Sequence, residues 1–412
     1  MAVTGPKHGV EKLGLNGSHE GDGVEIGLRV ALFSGNYNYQ ADGANKALNR
    51  LVAFLESQDI EVLVFSPTSD TPDFEPAGTL ISVPSIPVPG RGEYRIGFGL
   101  SDKLKRRLKR FNPTLIHLSA PDVLGHSALK FAENNNIPVV ASFHTRFDTY
   151  FKYYKLGWLE SYSRKKMAQF YDRCAHVYAP SHSVGVTLQE QNIVNGNLRI
   201  WSRGIDRTRF HPKHRDMAWR RSLGITDTDI ALGFVGRLVR EKGLAQYVDL
   251  VTTLTDQGLP VKALIVGDGP EHKTIKRLLP EAVMTGHITD RDLWRAYASC
   301  DVFINPSETE TFGNVTLEAM ASGLPTVCLK ATGSNDLVQH GTTGWLINSA
   351  EDPQWVEKTA MLCLDKELRN RMGQAARQAS ADYNWNRIMH DLLHQYREVA
   401  QSVQQPALNL TG

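Results

Sequence analysis

Cysteine is scarce in this chain and never clustered. The four present, Cys174, Cys300, Cys328 and Cys363, lie far apart and form no C-x-x-C pair. That spacing excludes a disulfide-framed secreted module and a zinc knuckle, and it fits a reduced, cytoplasmic protein. Long apolar runs are missing as well. None approaches the roughly 20 residues that span a bilayer, and no secretory leader is expected, so any work on a membrane is done from its surface. Net charge is almost absent, +2 from 46 Lys and Arg against 44 Asp and Glu, which removes the basic footprint of a nucleic-acid-binding protein. The first strand is followed neither by a G-x-G-x-x-G fingerprint nor by a Walker lysine, so dehydrogenase and ATPase readings lose their support.

What is present is globular material in quantity. At 412 residues with 41% hydrophobic side chains, the chain exceeds the size of a single core and implies two domains. Residues 1–27 are Gly-rich, poor in large apolar side chains, and read as a loose leader. From there, short β-branched runs alternate with helical patterns at 28–34, 61–67, 114–121, 137–144 and 176–181. After a polar connection at 202–215 the pattern restarts at 230–237, 261–269, 282–288, 301–307 and 324–330. Near-continuous apolar strands separated by helices indicate parallel sheets covered on both faces. The fold class is α/β, with two doubly wound Rossmann-like domains expected at 28–205 and 206–384. Ligands of such sheets collect outside the carboxyl ends of the strands, and the informative residues fall there.

The stretch "ETETFGNVTLEAMASG" (308–323) leaves a buried strand and enters a helix. Glu310 lies in the loop, Glu318 inside the helix. The amides of Phe312, Gly313 and Asn314 occupy the helix start, where unpaired N–H groups and the positive dipole end favour an anion or sugar hydroxyls. A cap or dipole partner explains either glutamate alone, though not the whole string. In "FVGRLVREKGL" (234–244), Arg237 and Lys242 stand between Gly236 and Gly243. Glycine lets the backbone approach a ligand, and two cations neutralise a diphosphate leaving group without metal; a solvated basic loop is the bland alternative. "SGNYNYQADGANKAL" (34–48) sets the first helix start, near Gly43, against a phosphate or acceptor, and His144 ends a strand where it can donate a hydrogen bond at the cleft. "VGDGPE" (266–271) reads as a tight strand-to-helix turn with Pro270 at the first helical position. Asp227-Thr228-Asp229 precedes its apolar run rather than following it, so it reads as a turn and no metal site is expected.

Taken together, "FVGRLVREKG", "VGDGP", "INPSETETFGNVTLEAMASGLPTV" and "GTTGWL" resemble the retaining, nucleotide-sugar-dependent GT-B glycosyltransferases of the glycogen synthase-like group 1 family. The resemblance runs from about residue 28 to 400. The family's E-x7-E motif falls on Glu310 and Glu318. "PSIPVPGRGEYRI" and "SFHTRFDTYFKYY" are similar to the branch of GDP-mannose-dependent α-mannosyltransferases and sulfoquinovosyl-diacylglycerol synthases. The resemblance implies two domains facing across a cleft, with a closing helix within 385–412 that crosses back to the first. It implies no cofactor, and a GDP or UDP sugar as co-substrate. Arg237 and Lys242 would hold the diphosphate, Glu310 and the amides of Phe312 to Asn314 the sugar hydroxyls, Glu318 the ribose, and His144 the sugar near the reacting carbon. Relatives typically carry Gly-Gly-Pro where this chain has Thr332-Gly333-Ser334. A sugar-nucleotide epimerase, a phosphorylase and a binding-only subunit are the alternative readings.

The acceptor reading rests on residues 91–110, where eight Lys or Arg stand against Glu93 and Asp102. Leu100, Leu104 and Leu108 recur at helical spacing, leaving Lys103, Arg106, Arg107 and Arg110 for the other face. An isolated charge run is usually a solvated helix face. Beside the aromatic-basic segment at 150–155, in a chain resembling lipid glycosyltransferases, it points to an anionic membrane surface and a lipid or lipid-linked acceptor.

Overall fold

The computed structural model describes residues 27–39, 42–88, 91–144 and 160–402. Every apolar run named above contains a strand. The first half holds β1 (Arg29–Phe33), β2 (Glu61–Ser66), β3 (Thr79–Ser82), β4 (Ser85–Val88), β5 (Arg91–Gly97), β6 (Leu115–Leu118), β7 (Val139–Ser142), β8 (His176–Ala179) and β9 (Leu198–Ile200). The second holds β10 (Ile230–Val235), β11 (Val261–Val266), β12 (Val283–Met284), β13 (Val302–Asn305), β14 (Thr326–Leu329) and β15 (Gly344–Ile347). Two parallel sheets result, ordered 3-2-1-6-7-8-9 and 12-11-10-13-14-15, while β4 and β5 form a separate antiparallel hairpin. In each sheet the chain builds outward and then returns to the other side of its first strand. The reversal falls between β1 and β6, and again between β10 and β13.

Helices α1 (Gly43–Ser57), α2 (Asp102–Phe111), α3 (Val123–Asn134), α4 (Glu160–Tyr171) and α5 (His182–Glu190) belong to the first half. The second contains α6 (Met217–Ser222), α7 (Leu244–Asp256), α8 (His272–Leu278), α9 (Asp290–Ala298), α10 (Asn314–Ala321), α11 (Thr332–Leu337), α12 (Gln354–Leu364) and α13 (Lys366–Ala379). The last helix, α14 (Trp385–Ser402), places Met389, Leu392, Leu393, Tyr396 and Val399 along one stripe. That stripe is buried with Leu48, Leu51, Leu55, Val30 and Leu115, so α14 packs beside α1 on the first sheet. The opposite face of that sheet is covered by Leu104 and Leu108 of α2, Leu124 and Phe131 of α3, Phe170 of α4 and Leu188 of α5. The chain therefore crosses between halves twice. The crossings are tied together: Ile205 N–H donates to the Tyr383 carbonyl at 2.8 Å, and Gly204 lies against the Trp385 indole.

Several local expectations meet particular outcomes. Asp227 pairs with Arg221 at 2.6 Å and Asp229 accepts from Thr226 N–H at 2.7 Å, closing a bend ahead of β10. Pro270 does not open a helix; the next amide, Glu271 N–H, goes to the Leu238 carbonyl, and α8 starts only at His272. All four cysteines are free and buried. Leu104 and Leu108 are buried, while Lys103, Lys105, Arg106, Arg107, Lys109 and Arg110 are exposed. Edge strands β3, β9 and β15 fall outside the apolar runs read from the sequence. The segment 150–155 lies outside the described residues. None of the described helices is long and apolar enough to cross a membrane.

Because α14 completes the first core, Leu392→Ala is expected to destabilise the protein by about 2–5 kcal/mol. Urea unfolding measures this. A loss below about 1 kcal/mol would mean that α14 is peripheral to that core.

Candidate active site

Where the strand order reverses, the loops after β10 and β13 lie side by side. Gly243 permits this, with φ at +71° and so little room that a Cβ would sit 2.2 Å from the Pro306 carbonyl oxygen. The approach sets Lys242 Nζ 2.5 Å from Glu310 Oε1. Their side chains are 31% and 14% exposed, so each shields the other's charge in a partly dry site. The Glu310 carbonyl accepts from Gly333 N–H at 2.8 Å and from the Thr332 hydroxyl at 2.7 Å. Thr332-Gly333-Ser334, the step that departs from the relatives' pattern, thus supports the loop carrying Glu310.

Two helix starts meet across the cleft. Asp42 caps α1 by accepting from Asn45 N–H at 2.8 Å, and Gly43 begins the helix. A Cβ on Gly43 would lie 2.3 Å from Asn314 Nδ2, the first residue of α10, which is capped by Gly313. Both helices point their positive ends at the same gap. A cavity of ≈ 1050 Å³ opens there. Asp42, Gly43 and Lys46 line it from the first half, Gly236, Arg237, His287, Asn314 and Glu318 from the second, and Arg203 and Trp385 at the crossings. Arg237 is exposed and carries no ion pair among the described residues. Phe312 is buried with its ring edge on Tyr383, so only its backbone can meet a ligand.

Glu318 is half-buried, and its Oε2 accepts from the Tyr297 hydroxyl at 2.7 Å. Burial pushes its carboxyl up to about 7, against the hydrogen bond from Tyr297 and the charge of Lys46 across the cleft.

His144 differs from expectation: both of its ring nitrogens are engaged within the protein. Arg203 Nη2 donates to Nδ1 at 2.9 Å. Burial first, then Arg203 and His117, hold the His144 ring well below its usual pKa and so neutral. A guanidinium only donates, so Nδ1 accepts and the proton sits on Nε2, which donates to Ser142 Oγ at 2.7 Å. Ser142 then donates to His117 Nε2 at 2.8 Å, and His117 Nδ1–H donates to the Tyr396 hydroxyl. One buried chain of hydrogen bonds runs from the cleft to α14.

The sequence reading therefore brought Gly43, Gly236, Arg237, Asn314 and Glu318 to one cavity and Lys242 and Glu310 to one pair. It missed Arg203, Tyr297 and Tyr396. A signal for Arg203 existed, because it follows a strand's carboxyl end, but β9 is three residues long and went unread. Also missed was Asp336, whose carboxylate caps α5 by accepting from Ser183 N–H at 2.8 Å and Ser183 Oγ at 2.7 Å. It joins the two halves beside the site.

Two doubly wound domains with a cleft between them at their strand reversals are a GT-B fold. The solved sucrose-phosphate synthase of Thermosynechococcus elongatus shares it, at TM-score 0.73 over 91% of this chain and 100% of that one, with 19% identity. Residues 216–379 match the family described as glycosyl transferases group 1, and 41–209 match glycosyltransferase family 4. A GDP-mannose-dependent alpha-mannosyltransferase of Corynebacterium glutamicum is 31% identical over 93% of this chain and 92% of its own length. A sulfoquinovosyl transferase of Arabidopsis thaliana is 33% identical over 87% of this chain and 71% of its length. The chain belongs to the group 1 glycosyltransferases and is a hexosyltransferase.

The raised Glu318 pKa fixes a pH dependence. Its ordinary value is 4.5 and its folded value about 7, so between these limits the folded state binds the extra proton. Stability from this group is then lost as pH rises from about 4.5 to about 7, and the deficit is complete above. Glu318→Gln is expected to flatten this part of the profile and to raise the urea midpoint at pH 8. Parallel wild-type and variant profiles from pH 5 to 8 would contradict the assignment.

Proposed function

We propose that the protein is a retaining, metal-independent transferase that moves a hexosyl unit from a GDP or UDP sugar to a lipid or lipid-linked acceptor. The observation that carries this is the cavity where two helix starts and Arg237 converge, with the Lys242–Glu310 pair on the adjoining loops after β10 and β13. Residues 206–384 hold the donor, and 28–205 with α14 receive the acceptor. Arg237 and Lys242 neutralise the departing diphosphate. When the donor enters, Lys242 exchanges Glu310 for a phosphate oxygen, and Glu310 is released to the sugar hydroxyls. Glu318 takes the ribose, and the α10 start lies between. Neutral His144, oriented by Arg203 and Ser142, borders the sugar. Attack from the leaving-group face through an oxocarbenium-like state retains configuration, and stabilisation of the leaving diphosphate supplies most of the rate.

The first half also carries a face suited to an anionic membrane on the cytoplasmic side. The exposed cations of α2 stand a few residues from the β4–β5 hairpin, where Ile86 and Ile96 pair across the strands and are exposed, as is Phe98. Ile96 and exposed Val123 border one depression with Arg95 and His126. Exposed apolar side chains followed in the chain by a basic helix suit insertion at the headgroup level, with roughly 1 kcal/mol from each basic residue near the surface.

Transfer assays with labelled nucleotide sugars test the reading, and an epimerised or phosphorolysed product would replace it. Glu310→Ala and Lys242→Ala are each expected to lower turnover at least about a hundredfold, while a chelator leaves activity largely intact. Strict dependence on added Mg²⁺ or Mn²⁺ would count against the mechanism. In sedimentation with anionic vesicles, binding is expected to weaken with salt and on reversal of Arg106 and Arg107 to Glu. Binding indifferent to both, with efficient transfer to a soluble sugar alone, would remove the lipid acceptor.

A further inference from the structure

Arg203 is 4% exposed, yet it lines the cleft. Its guanidinium donates to the Trp201 carbonyl at 2.9 Å, the Ser202 carbonyl at 3.4 Å and His144 Nδ1 at 2.9 Å, and it lies over the Trp201 ring at 4.9 Å. Every one of these partners is neutral. Among the described residues, the carboxylate whose charge reaches Arg203 is that of Asp42. That carboxylate is occupied at the α1 start, with Oδ1 accepting from Asn45 N–H at 2.8 Å and Oδ2 from Asn45 Nδ2 at 2.9 Å. A guanidinium withdrawn from water with no oxyanion bonded to it is costly. The cost here is visible as a pKa lowered to about 10 by burial. Beside it stand the first amides of α1 and, a turn further on, the Lys46 ammonium.

We infer that Arg203 is an anion-binding residue of the cleft, whose planar fork takes an oxyanion of the substrate against the start of α1. The oxyanion is a phosphate of the donor diphosphate or an acidic substituent on the transferred sugar or acceptor. The inference rests on the nucleotide-sugar reading of the cleft. It adds a residue from the domain crossing to the cations of the second half. The fork suits two oxygens at once, which a lysine does not match. Since the same guanidinium sets the His144 tautomer, occupancy of the anion site and the orientation of His144 are linked.

Calorimetric titration of the full chain with inorganic pyrophosphate, GDP, UDP and the unphosphorylated nucleosides tests this. Arg203→Gln and Arg203→Lys are expected to weaken pyrophosphate and nucleoside diphosphates by about tenfold or more, the worth of a charge-assisted hydrogen bond, and to leave nucleosides unchanged. Asp42→Asn keeps the α1 cap, since Asn caps as well as Asp, but removes the competing charge; it is expected to tighten pyrophosphate severalfold. That sign does not follow from a structural role, and it stands even where an Arg203 variant fails to fold. If diphosphate affinity holds in the Arg203 variants while KM rises about tenfold for a uronic-acid donor and not for a neutral hexosyl donor, the oxyanion belongs to the sugar. A rise confined to a charged acceptor assigns it there. Arg203 variants that bind and turn over charged and neutral ligands like wild type, or an Asp42→Asn that weakens pyrophosphate, would overturn the inference. A wild type that binds pyrophosphate but no nucleoside diphosphate would instead overturn the nucleotide-sugar reading.

Discussion

A chain that builds one sheet, then a second, and then returns its last helix to the first must cross the gap twice. The cleft hangs on how those crossings are tied. Here they lie backbone to backbone, with the Ile205 amide on the Tyr383 carbonyl and Gly204 against Trp385. Bare backbone at 204 lets the strands touch, and the apolar stripe of α14 anchors the second crossing in the first core. The same few residues put Arg203 and Trp385 into the wall of the cavity. Support and site are consequently one feature, and Arg50 stacked over Trp385 at 4.7 Å extends the tie into α1.

In the cleft and on the loops beside it, charge is arranged for exchange. Without ligand, Lys242 and Glu310 satisfy each other, Arg203 rests on neutral acceptors, and Arg237 faces solvent. Glu318, with its carboxyl near neutrality, holds a proton part of the time. Under the proposed function, a diphosphate and sugar hydroxyls would match each of these groups better. On that reading, ligand binding would replace internal partners rather than solvate bare charges, which would keep the empty site stable and the filled one favoured.

The hydrogen-bonded line from Arg203 through His144, Ser142 and His117 to Tyr396 shows how the distant helix bears on the cleft. Burial holds His117 at about 3 and His144 likewise neutral, so the line has one direction of donation, imposed at its Arg203 end. A shift of α14 would leave a buried donor or acceptor unmet, costing about 1–3 kcal/mol, and the imidazole at the cleft is thereby fixed by packing far from it.

Much of this was legible in the chain itself. Parallel strands buried on both faces must be continuously apolar, and that pattern marked β1, β2, β10, β11 and β13 as well as the loops behind them. Glu310, Arg237 and Lys242 were legible because those loops are short, and Glu318 because it keeps a fixed spacing from Glu310 in the helix that follows. The amphipathic face of α2 was legible for the same reason, since Leu104 and Leu108 answer to the helical period. The sequence could not assign partners separated by long stretches of chain. That Lys242 meets Glu310, that Arg203 orients His144, and that Asp336 caps a helix of the other half depends on close backbone contacts such as Gly243 against Pro306. Local propensity carries no information about such contacts. The sequence by itself marked Gly43, Gly236, Arg237, Asn314 and Glu318, which line the cleft; the tertiary structure alone added Arg203 and decided which residues hold one another, because contacts between distant segments form only when both sheets and both crossings are in place.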